Sequence, residues 1–282
     1  MKKIIDGKKI ADEITKEISA EVAALQGRKP GLAFLLVGDN PASQSYVRSK
    51  KRACALTGIH STLLEFPASV KESDLITQIE RLNQDPHIDG ILVQLPLPPH
   101  IDEKKIMFAI DPRKDVDGFH PLNVGKMLLG DDSGLLPCTP QGIKVLFERS
   151  SIAVEGKHVV IVGRSNIVGK PLAAILMQKK QGCNATVTVC HSRSDHLTEI
   201  TKTADILVAA IGSASFINAA MVKPNAVIID VGIHRREGKI IGDVDYENVY
   251  PIVSRITPVP GGVGPMTIAM LLKNTLLSFM QA

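Results

Sequence analysis

Tryptophan is missing from this 282-residue chain, and aromatic residues make up only 4% of it. That is a poor match to a protein reading nucleic acid with aromatics stacked among basic residues. Charge points the same way. The 33 Lys and Arg stand against 29 Asp and Glu, spread along the chain, for a net charge of +4. No basic segment dominates, while an anionic small ligand remains compatible. Cysteine is scarce: Cys54, Cys138, Cys183 and Cys190 form no CxxC pair, which argues against a disulfide framework in a chain of this length. His191 and His196 sit at i,i+5, and the histidines suggest no metal set. No apolar run approaches a membrane span, and the opening MKKIIDGKKIADEI lacks a signal-peptide core. These absences predict a soluble cytoplasmic protein. With few aromatics in a 44% hydrophobic composition, the core falls to Ile, Leu, Val and Ala, which suits buried parallel strands under helices.

Apolar runs alternate with amphipathic segments almost throughout. The reading predicts a helix from Asp6 to about Leu25, a strand at GLAFLLV (Gly31 to Val37), and a helix from Pro41 to Thr57. Asn40 is the N-cap of that helix, Pro41 its first-turn proline and Gly58 its stop. HSTLLEF is a strand, SDLITQIERLNQD a helix, and IDGILVQLPLPP (Ile88 to Pro99) a strand ending in prolines. A Gly/Pro-punctuated stretch between His120 and Thr139 is the expected linker, after which Thr139-Pro140 opens a helix. The second half repeats the pattern: strands at KHVVIVG, ATVTVC, ADILVAAIG and AVIIDVG, with helices at VGKPLAAILMQKK and near Leu197 to Lys202. A last helix opens at Gly264-Pro265. The fold class is α/β, in two α/β domains, the second a Rossmann-like doubly wound parallel sheet. The first domain spans 1–120 and the second 139–264, and the helix 265–282 packs back onto the first.

In VVIVGRSNIVGKPLAAIL, Gly163 ends a strand and Gly169 begins a helix. This is where a dinucleotide's pyrophosphate meets backbone N–H groups and a helix N-terminus. The spacing departs from GxGxxG, and a two-glycine turn here can be purely structural. The next strand ends in His191, Ser192, Arg193 and Ser194, where an NAD-selective site would carry an acidic residue. With Arg164 in the glycine loop, these groups suit a 2′-phosphate, hence NADP over NAD. An ordinary polar loop is the plain alternative.

The segments KDVDGFHPLNVGKM, LPCTPQGI, VGRSNIVGKP, ATVTVCHSRS and TPVPGGVGPMTIAMLLKNT resemble signatures of the bifunctional methylenetetrahydrofolate dehydrogenase/cyclohydrolase family. They occur in the family's order and cover the chain from about Asp6 to the last helix. The resemblance implies NADP-dependent oxidation of 5,10-methylenetetrahydrofolate, then hydrolysis of the methenyl product to 10-formyltetrahydrofolate, both in a cleft between the two α/β domains, in a homodimer. By resemblance Tyr46 and Lys50 are the family's Tyr-x-x-x-Lys pair, Gln94 its strand-end glutamine, and Asp117 the aspartate that holds the amino-bearing pterin ring. These four are the implied catalytic residues. Ser43, Pro260 and Gly261 join the folate site, and Gly163, Arg164, Ser165, Gly169, Ser192, Arg193 and Ile233 the cofactor site. At Ile211 to Phe216, IGSASF departs from the family's usual turn.

Residue patterns alone leave alternatives open. Ser43, Tyr46 and Lys50 share a helix face, but Lys51, four residues after Val47 and three before Cys54, marks an equally plausible inward face. Only the resemblance selects Lys50. An exposed lysine is protonated at neutral pH and cannot take a proton, so Lys50 needs a special setting. Asp117 can simply make an Asp-Gly turn, with Asp115 as the decoy. Tyr46 can be a packed aromatic. Asp230 in IIDVGI can close a strand or structure a turn, and receives no functional role. Two other functions stay in view: a dehydrogenase without the hydrolytic step, and a non-catalytic nucleotide- or nucleic-acid-binding module using the Arg48 to Arg52 run.

Overall fold

GLAFLLV offers no polar face to water, so it forms a strand only if buried on both sides. In the computed structural model, which describes residues 3–236 and 238–282, that strand is β1 (Gly31–Val37), buried at every position. It follows helix α1 (Gly7–Ala24). The chain divides into two units, each described by itself: Asp12–Cys138 with Ile268–Ala282, and the segment up to Ala11 with Thr139–Thr267.

In the first of these, β1 is flanked by β2 (His60–Phe66) and β3 (Gly90–Val93) in a parallel sheet of order β2-β1-β3. Helix α2 (Pro41–Thr57) links β1 to β2, and α3 (Glu72–Gln84) links β2 to β3. The Asn40 side chain accepts from the N–H groups of Ala42 and Ser43, and Gly58 closes α2 at φ 76°. The cap therefore sets the phase that decides which α2 residues face inward. The core beneath the sheet is built from Ala33, Leu35, Leu75, Ile79, Ile91 and their neighbours. β3 stops at Val93, short of the expected Pro99, because the prolines that follow bring no N–H to a ladder. Helices α4 (Glu103–Ala109) and α5 (Pro121–Leu129) follow. The stretch expected as a linker is thus partly helical, with Asn123 and Leu135 buried.

The other unit begins its run of elements in α6 (Cys138–Arg149), then β4 (His158–Val162), α7 (Gly169–Leu176), β5 (Thr186–Cys190), α8 (Leu197–Thr201), β6 (Ile206–Ala209) and β7 (Val227–Asp230). A hairpin of β8 (His234–Arg236) and β9 (Lys239–Ile241), helix α9 (Tyr246–Val249) and strand β10 (Arg255–Ile256) complete it, before α10 (Val263–Gln281). Its parallel sheet has the order β10-β7-β6-β4-β5. Strand order therefore reverses between β4 and β6, the kind of crevice where open α/β sheets bind ligands. α7 ends at Leu176, before the expected Lys180, because the returning chain claims its carbonyls: Ala185 N–H donates to Leu176 O and Asn184 N–H to Gln178 O. α10 is long and apolar enough to cross a membrane by length and composition alone, but 56% of that span is buried inside the fold, as in a core helix.

Two buried aspartates organise the loops at the carboxyl ends of β6 and β7. Asp243 accepts from the N–H groups of Ile211 (2.6 Å), Gly212 (2.9 Å) and Ser213 (3.0 Å), and from His234 Nε2 (2.7 Å). Asp230 accepts from the N–H groups of Gly232, Asp243 and Val244 at 2.9–3.0 Å. This is why β6 stops at Ala209 and not at the expected Gly212: the next N–H groups turn to a carboxylate. A Cβ at Gly242 would lie 1.9 Å from Asp230 Oδ2, and one at Gly232 2.4 Å from Asp243 Oδ1, so the packing admits only glycine there. Asp243→Ala leaves the part-buried N–H groups of Ile211, Gly212 and Ser213 without their acceptor and is expected to cost about 3 kcal/mol. A thermal melt then shows a fall of about 10 °C; an unchanged melting temperature would refute this account.

Candidate active site

Helix α2 carries Ser43, Tyr46 and Lys50 along one face, as i,i+3 and i,i+4 spacing requires. Ser43 is buried and Tyr46 is 46% exposed. Lys50 is half-buried. Its Nζ donates to Gln94 Oε1 at 3.1 Å. Gln94 follows β3, where its backbone N–H donates to Leu35 O (2.9 Å) and extends the ladder by one rung. Its Nε2 donates to Leu95 O at 2.7 Å. That bond fixes the amide so that its oxygen faces Lys50. The ammonium is thereby held at the carboxyl edge of the sheet.

Asp117 and Asp115 have different fates. Asp115 is buried and spent on structure: its Oδ2 accepts from His120 N–H at 2.7 Å and Asn123 Nδ2 at 3.0 Å. The Asp117 carboxyl is pushed up to about 6, chiefly by burial, with the Lys50 charge pulling the other way. Asp115 adds to the upward push, and the neighbouring Cys138 thiol opposes it. Gly118 has φ 75°, and a Cβ there would meet the Leu136 carbonyl carbon at 2.5 Å. The turn after Asp117 is therefore pressed against Leu136-Pro137. Lys50, Gln94 and Asp117 gather a cation, a neutral amide and a half-buried carboxyl on one side of one unit.

The other expected folate residues, Pro260 and Gly261, lie in the unit containing Thr139–Thr267. Gly261 has φ 102°, and its carbonyl accepts from Lys8 N–H at 2.8 Å. A Cβ at Gly7 would lie 1.9 Å from Gly262 O, so α1 can start against this turn only with glycine. Pro260 stands exposed beside it.

The expected cofactor residues surround the reversal between β4 and β6. Gly163 has φ 133°, and a Cβ on it would lie 2.1 Å from Ala210 O. A Cβ on Gly169 would lie 2.0 Å from Gly163 O. Strand, turn and helix thus meet at van der Waals limits that only glycine satisfies. Ser165 Oγ accepts from Val168 N–H at 3.1 Å, closing the turn. Arg164 is exposed. After β5, Ser194 Oγ accepts from His191 N–H (3.0 Å) and His191 Nδ1 from Arg193 N–H (3.1 Å). That loop closes on itself and leaves the Ser192 and Arg193 side chains exposed. Ile233, 48% exposed, follows β7. Among the described residues, no group of three His, Cys, Asp or Glu side chains could hold a metal ion.

Asp230 both closes β7 and structures the turn after it, the two readings its place in IIDVGI offered. Sequence reading passed over two other supports. Asn274 had a signal, a lone amide in the apolar run MLLKNTLLSF. Asp243 had none, because its partners are backbone groups of loops with no shared pattern.

Residues 5–117 match the catalytic domain of the tetrahydrofolate dehydrogenase/cyclohydrolase family, and residues 137–282 match its NAD(P)-binding domain. The bifunctional protein FolD of Protochlamydia amoebophila is 57% identical over 283 residues, covering 98% of this chain and 97% of that one. The crystal structure of the bifunctional FolD methylenetetrahydrofolate dehydrogenase/cyclohydrolase from Campylobacter jejuni is similar at TM-score 0.96 and 47% identity, over 99% of this chain and 98% of that one. The methylenetetrahydrofolate dehydrogenase-cyclohydrolase of Trypanosoma brucei, solved with NADP cofactor and an inhibitor, is similar at TM-score 0.92 and 38% identity, over 99% and 97%. Matched in both halves by the family's two domains, the chain belongs to the tetrahydrofolate dehydrogenase/cyclohydrolase family.

Proposed function

We propose that Lys50, Gln94 and Asp117 serve a bifunctional folate enzyme. The chain oxidises 5,10-methylenetetrahydrofolate to 5,10-methenyltetrahydrofolate with NADP and hydrolyses that product to 10-formyltetrahydrofolate. The observation that carries the residue assignment is the Lys50 Nζ to Gln94 Oε1 hydrogen bond at 3.1 Å. It sets a positionable proton carrier at the edge of the sheet, within a chain that matches both family domains.

The residues around Gly163 fit NADP. The glycine-only contacts at Gly163 and Gly169 bring backbone close to a pyrophosphate, and the exposed Arg164, Ser192 and Arg193 side chains suit a 2′-phosphate. Ser165 shapes the turn, and Ile233 offers an apolar surface for the nicotinamide. NADP, when bound, takes up the hydride from the bridging methylene. The rest falls to the chain. Asp117, as a carboxylate, accepts hydrogen bonds from the amino-bearing pterin ring and fixes its orientation. Ser43 and Tyr46 line the substrate beside Lys50. In the hydrolytic step water adds to the methenyl cation and loses one proton, which leaves to solvent. As the bond from the bridging carbon to N5 breaks, the new hydroxyl loses its remaining proton to become the formyl carbonyl and folate N5 gains one. Lys50 Nζ, steered by Gln94, relays these protons. The protein acts as a cytoplasmic homodimer on a small-molecule folate, with neither nucleic acid nor membrane as partner.

Lys50→Met is expected to cut hydrolysis of methenyltetrahydrofolate by about 100-fold or more, read from the loss of its absorbance. Undiminished hydrolysis would remove Lys50 from the mechanism.

Asp117 titrates near 6, so folate KM is expected to rise as pH falls through that value and the carboxylate is lost. Folding has the opposite sign: a carboxyl raised in the folded state favours folding below its unfolded pKa and loses that contribution as pH rises through about 6. Asp117→Asn should therefore raise folate KM at pH above 7, flatten the acid limb, and leave the melting temperature no lower. A KM unaffected by pH and by this substitution would dismiss Asp117 as the anchor.

Arg193→Ala is expected to weaken NADP about tenfold or more while NAD changes little, measured as KM for each cofactor. Equal losses would argue against a 2′-phosphate contact.

A further inference from the structure

Asn274 is 0% exposed in the middle of α10. Its Nδ2 donates to Val116 O at 2.9 Å and to Leu136 O at 2.9 Å, and lies 3.7 Å from Cys138 Sγ. Both oxygen partners are carbonyls, so only this amide orientation satisfies them. Its Oδ1 is left buried with no hydrogen-bond partner. Such an oxygen is costly, and an apolar residue would avoid it. What the amide achieves is local. Val116 directly precedes Asp117. Leu136 lies against Gly118, directly after it. Cys138, which touches the same amide, donates its thiol to Val116 O at 3.2 Å. One turn further along α10, Ser278 Oγ lies 2.5 Å from Asp89 O and 2.6 Å from Arg113 O, its one proton shared between them. The helix therefore holds the Arg113–Asp117 strip at two points, and Asn274 clamps it to Leu136 on the far side of the Asp117 turn.

We propose that Asn274 is a positioning residue for folate binding: by joining Val116 to Leu136 it fixes where the Asp117 carboxylate stands. The inference rests on the assignment of Asp117 as the pterin anchor. Asn274 touches neither folate nor cofactor, and acts through the Asp117 turn.

The test uses Asn274→Leu, which removes both donors in similar volume, and Asn274→Ser, which is smaller and keeps one hydroxyl donor. Each is compared with Asp117→Asn and with the Asn274→Leu/Asp117→Asn double variant. Thermal melts identify the folded samples, and the Ser variant carries the test if the Leu variant does not fold. Tetrahydrofolate affinity is read by isothermal titration without NADP, and KM and kcat by NADPH formation. The Leu variant is expected to weaken folate about tenfold and the Ser variant less, in line with lost hydrogen bonds. NADP KM stays within about twofold, kcat within about threefold, and the acid limb of the folate KM profile moves. The double variant binds folate no worse than Asp117→Asn alone, because both changes act on one anchor. Wild-type folate affinity in the Asn274 variants beside a weakened Asp117→Asn overturns the inference alone, as does a double variant showing both losses in full. Wild-type affinity in Asp117→Asn itself overturns the anchor assignment, and the inference with it.

Discussion

A carboxylate taken out of water must find donors, and this chain uses that demand to tie its loops. Asp89, Asp115, Asp230 and Asp243 are all buried, and each accepts from backbone N–H groups of segments that follow or precede strands. Asp89 accepts from Gly31 N–H at the start of β1 (2.8 Å) while Arg28 grips both its oxygens at 2.7 Å. Asp115 and Asp243 do the same at the site edge of each sheet. Sheets supply the rigid layers. The buried carboxylates decide where the connecting backbone stands, and the proposed ligand contacts are made by that backbone and its neighbours.

Asp117 inverts the arrangement. It is half-buried beside a lysine and a thiol, with its proton affinity raised, while Asp115 two residues away is filled by His120 and Asn123. A carboxyl whose own fold does not saturate it is disposed to take a ligand's donors instead. The instability this implies is borne by the surroundings: Asn274, Ser278 and the glycine-only contact at Gly118 hold the turn in place.

Much of this was legible in sequence where the signal is local. β1, α2 and its Asn40 and Gly58 caps fall as the residues predict, because apolar runs and caps are short-range. The face of α2 was readable as Ser43, Tyr46 and Lys50, but periodicity could not separate Lys50 from Lys51. Their difference is a contact to Gln94, 44 residues away. The separation of Asp115 from Asp117 likewise depends on His120 and Asn123. The early ends of β3, β6 and α7, and the β8–β9 hairpin, were not legible. They follow from prolines, a distant carboxylate and a returning loop, each a tertiary effect that overrides local preference.

The four cysteines carry a last consequence. All are buried and free, and burial raises each thiol, Cys54 to about 12 and Cys138 well above its ordinary value. The nucleophilic form of a thiol is the thiolate, so the cysteines of the folded chain offer electrophiles and oxidants almost nothing to react with. Their chemistry is deferred to moments when a unit opens, which makes thiol reactivity here a measure of opening and not of the surface.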